Sequence, residues 1–244
     1  MTITIMLIAL ASAAAAPAPA QPGALDRAND HFKAGMTALA GERYEAAERE
    51  FTSAVQIDPL HDAAFYGLGQ VYMATRRYPE AVKAYLDSRA AFQAGIAAEK
   101  SDAAAMERRI RDQLVALKDY GRQLQRMPAS TATLAAAIER NREDIRQLES
   151  RLNRSTGGAA PTVPAGLSMA LGSAYFRTQN LEAAEREYLE AIKVAPKFGE
   201  AHNNLAVVYM LTGRTELAER EVALAEESGF KVNPKLKDDL KSRK

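Results

Sequence analysis

At 244 residues with 47% apolar side chains, the chain is large enough to bury a core in one or two domains. Its 32 basic and 31 acidic residues leave a net charge of +1, so no global field draws it toward nucleic acid or an anionic membrane surface. Cysteine is absent, which excludes disulfides, thiolate metal sites, a cysteine nucleophile and a lipoprotein anchor.

Thr2 to Ala16 is apolar and uncharged, and Ala18-Pro19-Ala20 places small residues where a signal peptidase reads them, before Gln21. This predicts a signal peptide over 1–20, a linker over 21–27 and a periplasmic or secreted protein with no membrane span after cleavage. The leader departs from the usual pattern in having no Lys or Arg ahead of its apolar run. An uncleaved membrane anchor is the alternative, against which the apolar run of about 15 residues is short of the ~20 that a bilayer-spanning helix needs.

Two helical units are expected over 28–95. The first has Gly35, Tyr44, Ala47, Phe51, Ala54 and Pro59, and the second Leu68-Gly69-x-x-Tyr72, Tyr78, Ala81, Tyr85 and Ser88. From Pro79 no breaker appears until Met127-Pro128, which predicts one helix of about 48 residues, ~70 Å long. Ile96, Ala103, Ile110, Leu117 and Leu124 recur every seven residues along it, and Leu134, Ile138, Ile145, Leu148 and Leu152 continue at four and three spacing beyond Pro128-Ala129-Ser130, with Asn141 the one polar seam residue. The pattern predicts a long antiparallel, coiled-coil-like helical hairpin over 96–156, followed by a linker over 157–164. Either the hairpin zips only to itself, or leftover apolar positions such as Leu114 meet a second chain. Its many arginines have acidic neighbours at helical contact spacing and no interleaved aromatic residues, which reads as a solvated face and not a nucleic-acid surface.

Two further units follow over 165–232: Leu171-Gly172-x-x-Tyr175, Ala184, Tyr188, Ala191 and Pro196, then Leu205-Ala206-x-x-Tyr209, Ala218, Val222 and Ala225. Gly172 to Ala206 is a step of 34 residues, the period of helix–turn–helix arrays. The small residues let paired helices approach and the aromatic ones fill the remaining gaps. Over 233–244, Asn233-Pro234 opens a last helix with Leu236 and Leu240 on one face, suited to capping the array's apolar end.

Four units of this pattern resemble tetratricopeptide repeats. The resemblance implies an all-α helix–turn–helix solenoid of four units, here interrupted by the hairpin. It further implies a concave groove lined from the first helix of each unit: Phe32, Met36 and Leu39; Tyr66, Gln70 and Met73; Met169, Phe176 and Arg177; Asn203, Val207, Met210 and Leu211. This lining is apolar and rich in methionine, which suits an amphipathic helix from a protein partner; alternatively the chain fills the groove itself, through the hairpin linker or the C-terminal segment. The family's carboxylate clamp is missing, since Phe32, Met36, Gly67, Gly166 and Ala170 stand at its positions.

His31, His61 and His202 are scattered and form no metal-spaced cluster, and no phosphate loop or nucleophile with its base is recognisable. The expected function is that of an exported bacterial adaptor in the cell envelope, non-enzymatic and without cofactor or metal. A structural protein that self-associates through its hairpin is the alternative.

Overall fold

The computed structural model describes residues 23–99, 103–126, 132–155 and 162–242. The expected signal peptide, the turn at Pro128 and the Gly157-Gly158 part of the linker lie outside the described residues. Among those residues the chain is all-α, with eleven helices and no strand.

Eight helices pair into four units: α1 (Ala24–Ala40) with α2 (Tyr44–Ile57), α3 (Asp62–Ala74) with α4 (Tyr78–Glu99), α7 (Ala165–Arg177) with α8 (Leu181–Val194), and α9 (Gly199–Leu211) with α10 (Thr215–Glu227). Between them come α5 (Ala103–Arg126) and α6 (Ala132–Ser155), which pack along each other, and α11 (Pro234–Lys241) follows the last unit.

The first three units are each closed by a ring against a bare backbone, and the fourth has Ala206 and Val222 at these positions. A Cβ added at Gly172 would lie 2.7 Å from the Tyr188 ring, one at Gly35 would lie 2.6 Å from Phe51, and Gly69 meets Tyr85 in the same way. Ala47, Ala81, Ala184 and Ala218, the small residues of the second helices, have no exposed surface. The turn inside each unit needs one left-handed residue: Glu42, Arg76, Gln179 and Gly213 have φ of 56°, 61°, 61° and 76°. Only the fourth unit places glycine there, where the strain of a side chain is relieved.

The units stack in chain order, α2 on α3 and α8 on α9. Across the interruption α4 packs directly on α7, with Ala81 and Tyr85 meeting Leu167, Leu171 and Ala174 in one buried cluster. Arg89 of α4 adds a 2.6 Å ion pair to Glu187 of α8. The array is therefore continuous, and α5–α6 is a branch from it. At the far end Val232, Leu236 and Leu240 close the C-terminal core, with Asn233 capping α11 through a bond to the Lys235 amide at 2.9 Å.

The expected single helix of about 48 residues is corrected. Arg109 of α5 lies against Gly95 of α4, where a Cβ would sit 3.3 Å from its guanidinium. Fourteen residues apart on one straight helix they would be separated by about 21 Å. α5 therefore lies back against α4 instead of continuing it, and Ile96 belongs to α4. Leu114 is corrected too: it is 9% exposed inside the α5–α6 seam with Ile110 and Leu148, and so is not left over for a second chain.

Replacing Gly172 by alanine forces the Tyr188 ring to move. Chemical denaturation of Gly172→Ala should show a loss of about 1–3 kcal/mol from overpacking, despite alanine's better helix propensity. Unchanged stability would refute this register of the two helices.

Candidate functional site: the concave face and its occupant

The concave side of the array is built from the first helix of each unit. Phe32 and Met36 of α1 and Tyr66 and Gln70 of α3 line one cavity, with Leu167 of α7 at its edge. Leu39, Met73, Met169 and Arg177 line a second, larger one beside it, which Tyr66 and Gln70 also border. The groove thus runs unbroken from α1 to α7. The remaining expected groove residues do not join these cavities. Phe176 and Val207 pack against the C-terminal core, Met210 is 8% exposed within it, and Leu211 is open to solvent. Asn203 donates to Asn204 Oδ1 at 3.2 Å while its own Oδ1 is buried without a partner.

The other walls of both cavities come from α5 and α6. Leu117 and Tyr120 of α5 and Ala137, Arg140, Asn141 and Asp144 of α6 face the groove lining across the first cavity, whose volume is about 150 Å³. Ala116 of α5 packs on the core formed by the first two units. Hydrogen bonds fix both edges: Gln113 Nε2 donates to Asp62 Oδ1 at 2.9 Å, and Gln147 Oε1 accepts from the Ala165 amide at 3.0 Å. Arg109 donates to the Leu60 carbonyl and lies 3.8 Å from Asp58, and the Arg151 guanidinium stands 4.4 Å over the Phe92 ring. The groove is filled by the chain itself, as one of the two sequence readings allowed. The filler is the helical pair, where that reading named the linker or the C-terminal segment.

Asn141 meets its polar need within the pair, donating to the Leu117 carbonyl at 3.0 Å. Asp144, one helical turn on, accepts no hydrogen bond among the described residues; its remaining surface lines the two cavities. Burial first, then the neighbouring Glu143, pushes its carboxyl up to about 7 from an ordinary 3.8, with Arg140 opposing. Burial likewise raises the Tyr66 hydroxyl, with the Asp144 charge adding to it, and raises Glu200 of α9 against Arg140. The outward arginines of α5 and α6 are matched locally: Arg111 by Glu107, Arg122 by Asp119, and Arg146 by Glu143 at 2.6 Å.

Four pairings within the array and one helix cap were missed in the sequence. His31 meets Glu50 at 2.7 Å in the first unit and His202 meets Glu221 at 2.6 Å in the fourth, each 19 residues apart. Arg77 binds Glu48 and stacks on Tyr72, and Arg214 binds Glu185 and stacks on Tyr209, each ion pair spanning 29 residues. His61 caps α3, its Nδ1 accepting from the Ala64 amide at 3.3 Å. The repeated separations of 19 and 29 were the available signal.

No curated protein sequence matches the chain. Solved structures that align with it include the MamA protein, at 17% identity over 85% of this chain and 93% of that one, with a TM-score of 0.30. Pseudomonas aeruginosa pilF aligns at 15% identity over 90% of each chain, with a TM-score of 0.37. A thermophilic TPR protein of Thermus thermophilus aligns at 18% identity over 88% of this chain and 98% of that one, with a TM-score of 0.30. The sequence profile of the tetratricopeptide repeat matches residues 25–92 and 169–230, more than half of the chain, and these are the residues that build the four paired units. The chain belongs to the tetratricopeptide repeat family.

Proposed function

We propose that this protein is an exported bacterial adaptor, which holds a protein partner in a cell-envelope assembly through its concave face, through α5–α6, or through both. Tetratricopeptide repeat proteins generally mediate protein–protein interaction. The observation that carries the reading is the unbroken concave face. Because α4 stacks on α7, Leu39, Met73 and Met169 from three units border one cavity of about 540 Å³ with apolar and polar walls. Arg177 and Glu143 at its rim supply charges of both signs to orient a bound segment.

The export part of the proposal rests on the apolar leader and the small residues before Gln21. No described helix is long and apolar enough to cross a membrane. Terminal sequencing of the protein from the envelope fraction should find a mature chain that begins at Gln21. A chain retaining Met1 would favour the anchored form.

Self-association through α5–α6 is the competing reading, and Val115, 57% exposed on α5, is the position that would report it. A photo-crosslinking residue at Met73 should capture a defined foreign protein in the native envelope, and the same probe at Val115 should give no crosslink to a second copy. Capture only of a second copy at both positions would overturn the adaptor reading in favour of the structural one.

A further inference from the structure

The contacts that seat α5–α6 differ in kind from those that hold the array. Inside the units, Phe51, Leu171 and Leu205 have no exposed surface, and the Phe51 ring stands so close to Gly35 and Gly67 that a Cβ at either would overlap it. Under α5–α6 the joint keeps an open cavity of about 150 Å³ beside the edge bonds of Gln113, Gln147 and Arg109, the stacking of Arg151 on Phe92 and the packing of Ala116. Gln70 Oε1 is buried there without a hydrogen-bond partner, and the half-buried Asp144 carboxyl, which lines both cavities, accepts no hydrogen bond. A buried acceptor left unmet costs free energy, and so does a carboxylate drawn partly out of water. The stack is continuous without the pair, because α4 and α7 close on each other directly. Such a segment opens at lower free energy than the units it covers.

We propose that α5–α6 is a removable plug, seated where an amphipathic helix of a partner protein would lie, and that the Asp144 carboxyl governs its release. The occupant is argued from the plug itself: what fits the groove is a helix that offers Leu117 and Leu148 beside Asn141 and Gln147. This deepens the adaptor reading and rests on it only for the partner, since opening of the plug is a property of the chain alone.

The direction with pH follows from the geometry around Asp144. It is faced by Arg140 and Glu143 on its own helix, Tyr66 of α3, Tyr85 of α4, Tyr120 of α5, Arg177 of α7 and Glu200 of α9. The seated form keeps the Asp144 proton up to about pH 7, whereas a solvated carboxyl loses it near 3.8. Raising the pH through that window therefore costs only the seated form, and opening grows with pH until it levels off above about 7. Glu200, raised by burial, acts in the same direction. His61 at the far edge of the seat acts the other way, because burial lowers it, with Arg109 lowering it further against Asp62 and Asp58, so that acid charges it more readily when the plug is out.

The chain has no cysteine, so spin labels can be placed on Val115→Cys in α5 and Leu189→Cys in α8, both at exposed positions. Pulsed electron paramagnetic resonance on the full chain should give one narrow distance at pH 6 and a second distance at pH 8. From pH 6 to pH 8 the ratio of open to seated molecules should rise about tenfold. In Asp144→Asn, which keeps a neutral side chain of the same shape, the seated distance should persist at both values. The same distribution at pH 6 and pH 8, or a pH response in Asp144→Asn equal to that of the parent, would overturn the proposal. Capture from Met73 should fall in Asp144→Asn at pH 8. If the plug opens but Met73 captures nothing, the plug stands and the adaptor reading fails. Capture from Met73 that is equal in the two proteins, with no second distance, sinks the plug and leaves the adaptor.

Discussion

Three contacts of one kind govern this molecule: in each of the first three units a ring of the second helix comes so close to the first that only glycine can stand beneath it. Gly172 beneath the Tyr188 ring and Gly35 beneath Phe51 are the clearest cases, since even one methyl group at either position would overlap the ring. Close approach multiplies weak dispersion contacts and removes apolar area from water. It also fixes the angle between paired helices, and with it the curvature of everything stacked on them. The concave face depends on this contact being made in three successive units.

Continuity of the stack depends on a second use of the same residues. Ala81 and Tyr85, which close the second unit, also receive Leu171 and Ala174 of the third. A branch of two helices can therefore leave the array after Glu99 and rejoin it at Ala165 without opening a gap. The branch folds back onto the concave side, where its apolar stripe finds Phe32 and Tyr66 and its polar residues find chain ends and carbonyls. The occupant is polar enough to leave unmet groups behind it, and that is the physical difference between a core and a seat.

The repeats were legible in the sequence because their constraint is local and periodic. A small residue at the helix contact leaves the same mark every 34 residues, as the step from Gly172 to Ala206 did. The α5–α6 seam was legible for the same reason, through Ile110, Leu117 and Leu148. What could not be read was that α5 lies back against α4, since no proline or glycine pair separates them, and the destination of the branch. Leu117 belongs to the seam by its heptad position and borders the groove cavity as well. Position within a heptad does not distinguish those two neighbours. Asp144 was equally silent, one acid among many on an arginine-rich helix, until Tyr66, Arg140 and the cavity were seen around it. The five expected groove residues Phe176, Asn203, Val207, Met210 and Leu211 followed the family's face, while here Phe176, Val207 and Met210 join the C-terminal core, Asn203 bonds to Asn204 and Leu211 meets solvent.

The central claim is that α5–α6 occupies the concave groove of a continuous array, and the Asp62–Gln113 contact at 2.9 Å tests it most directly. In a chain without other cysteines, Asp62→Cys with Gln113→Cys places two thiols on either side of the seat, where the longer native side chains touch. A short thiol-to-thiol crosslinker added to the folded protein, followed by peptide mass mapping, should return an intrachain 62–113 link in most molecules. Unlinked thiols, or links only between chains, would contradict this account of where the branch lies.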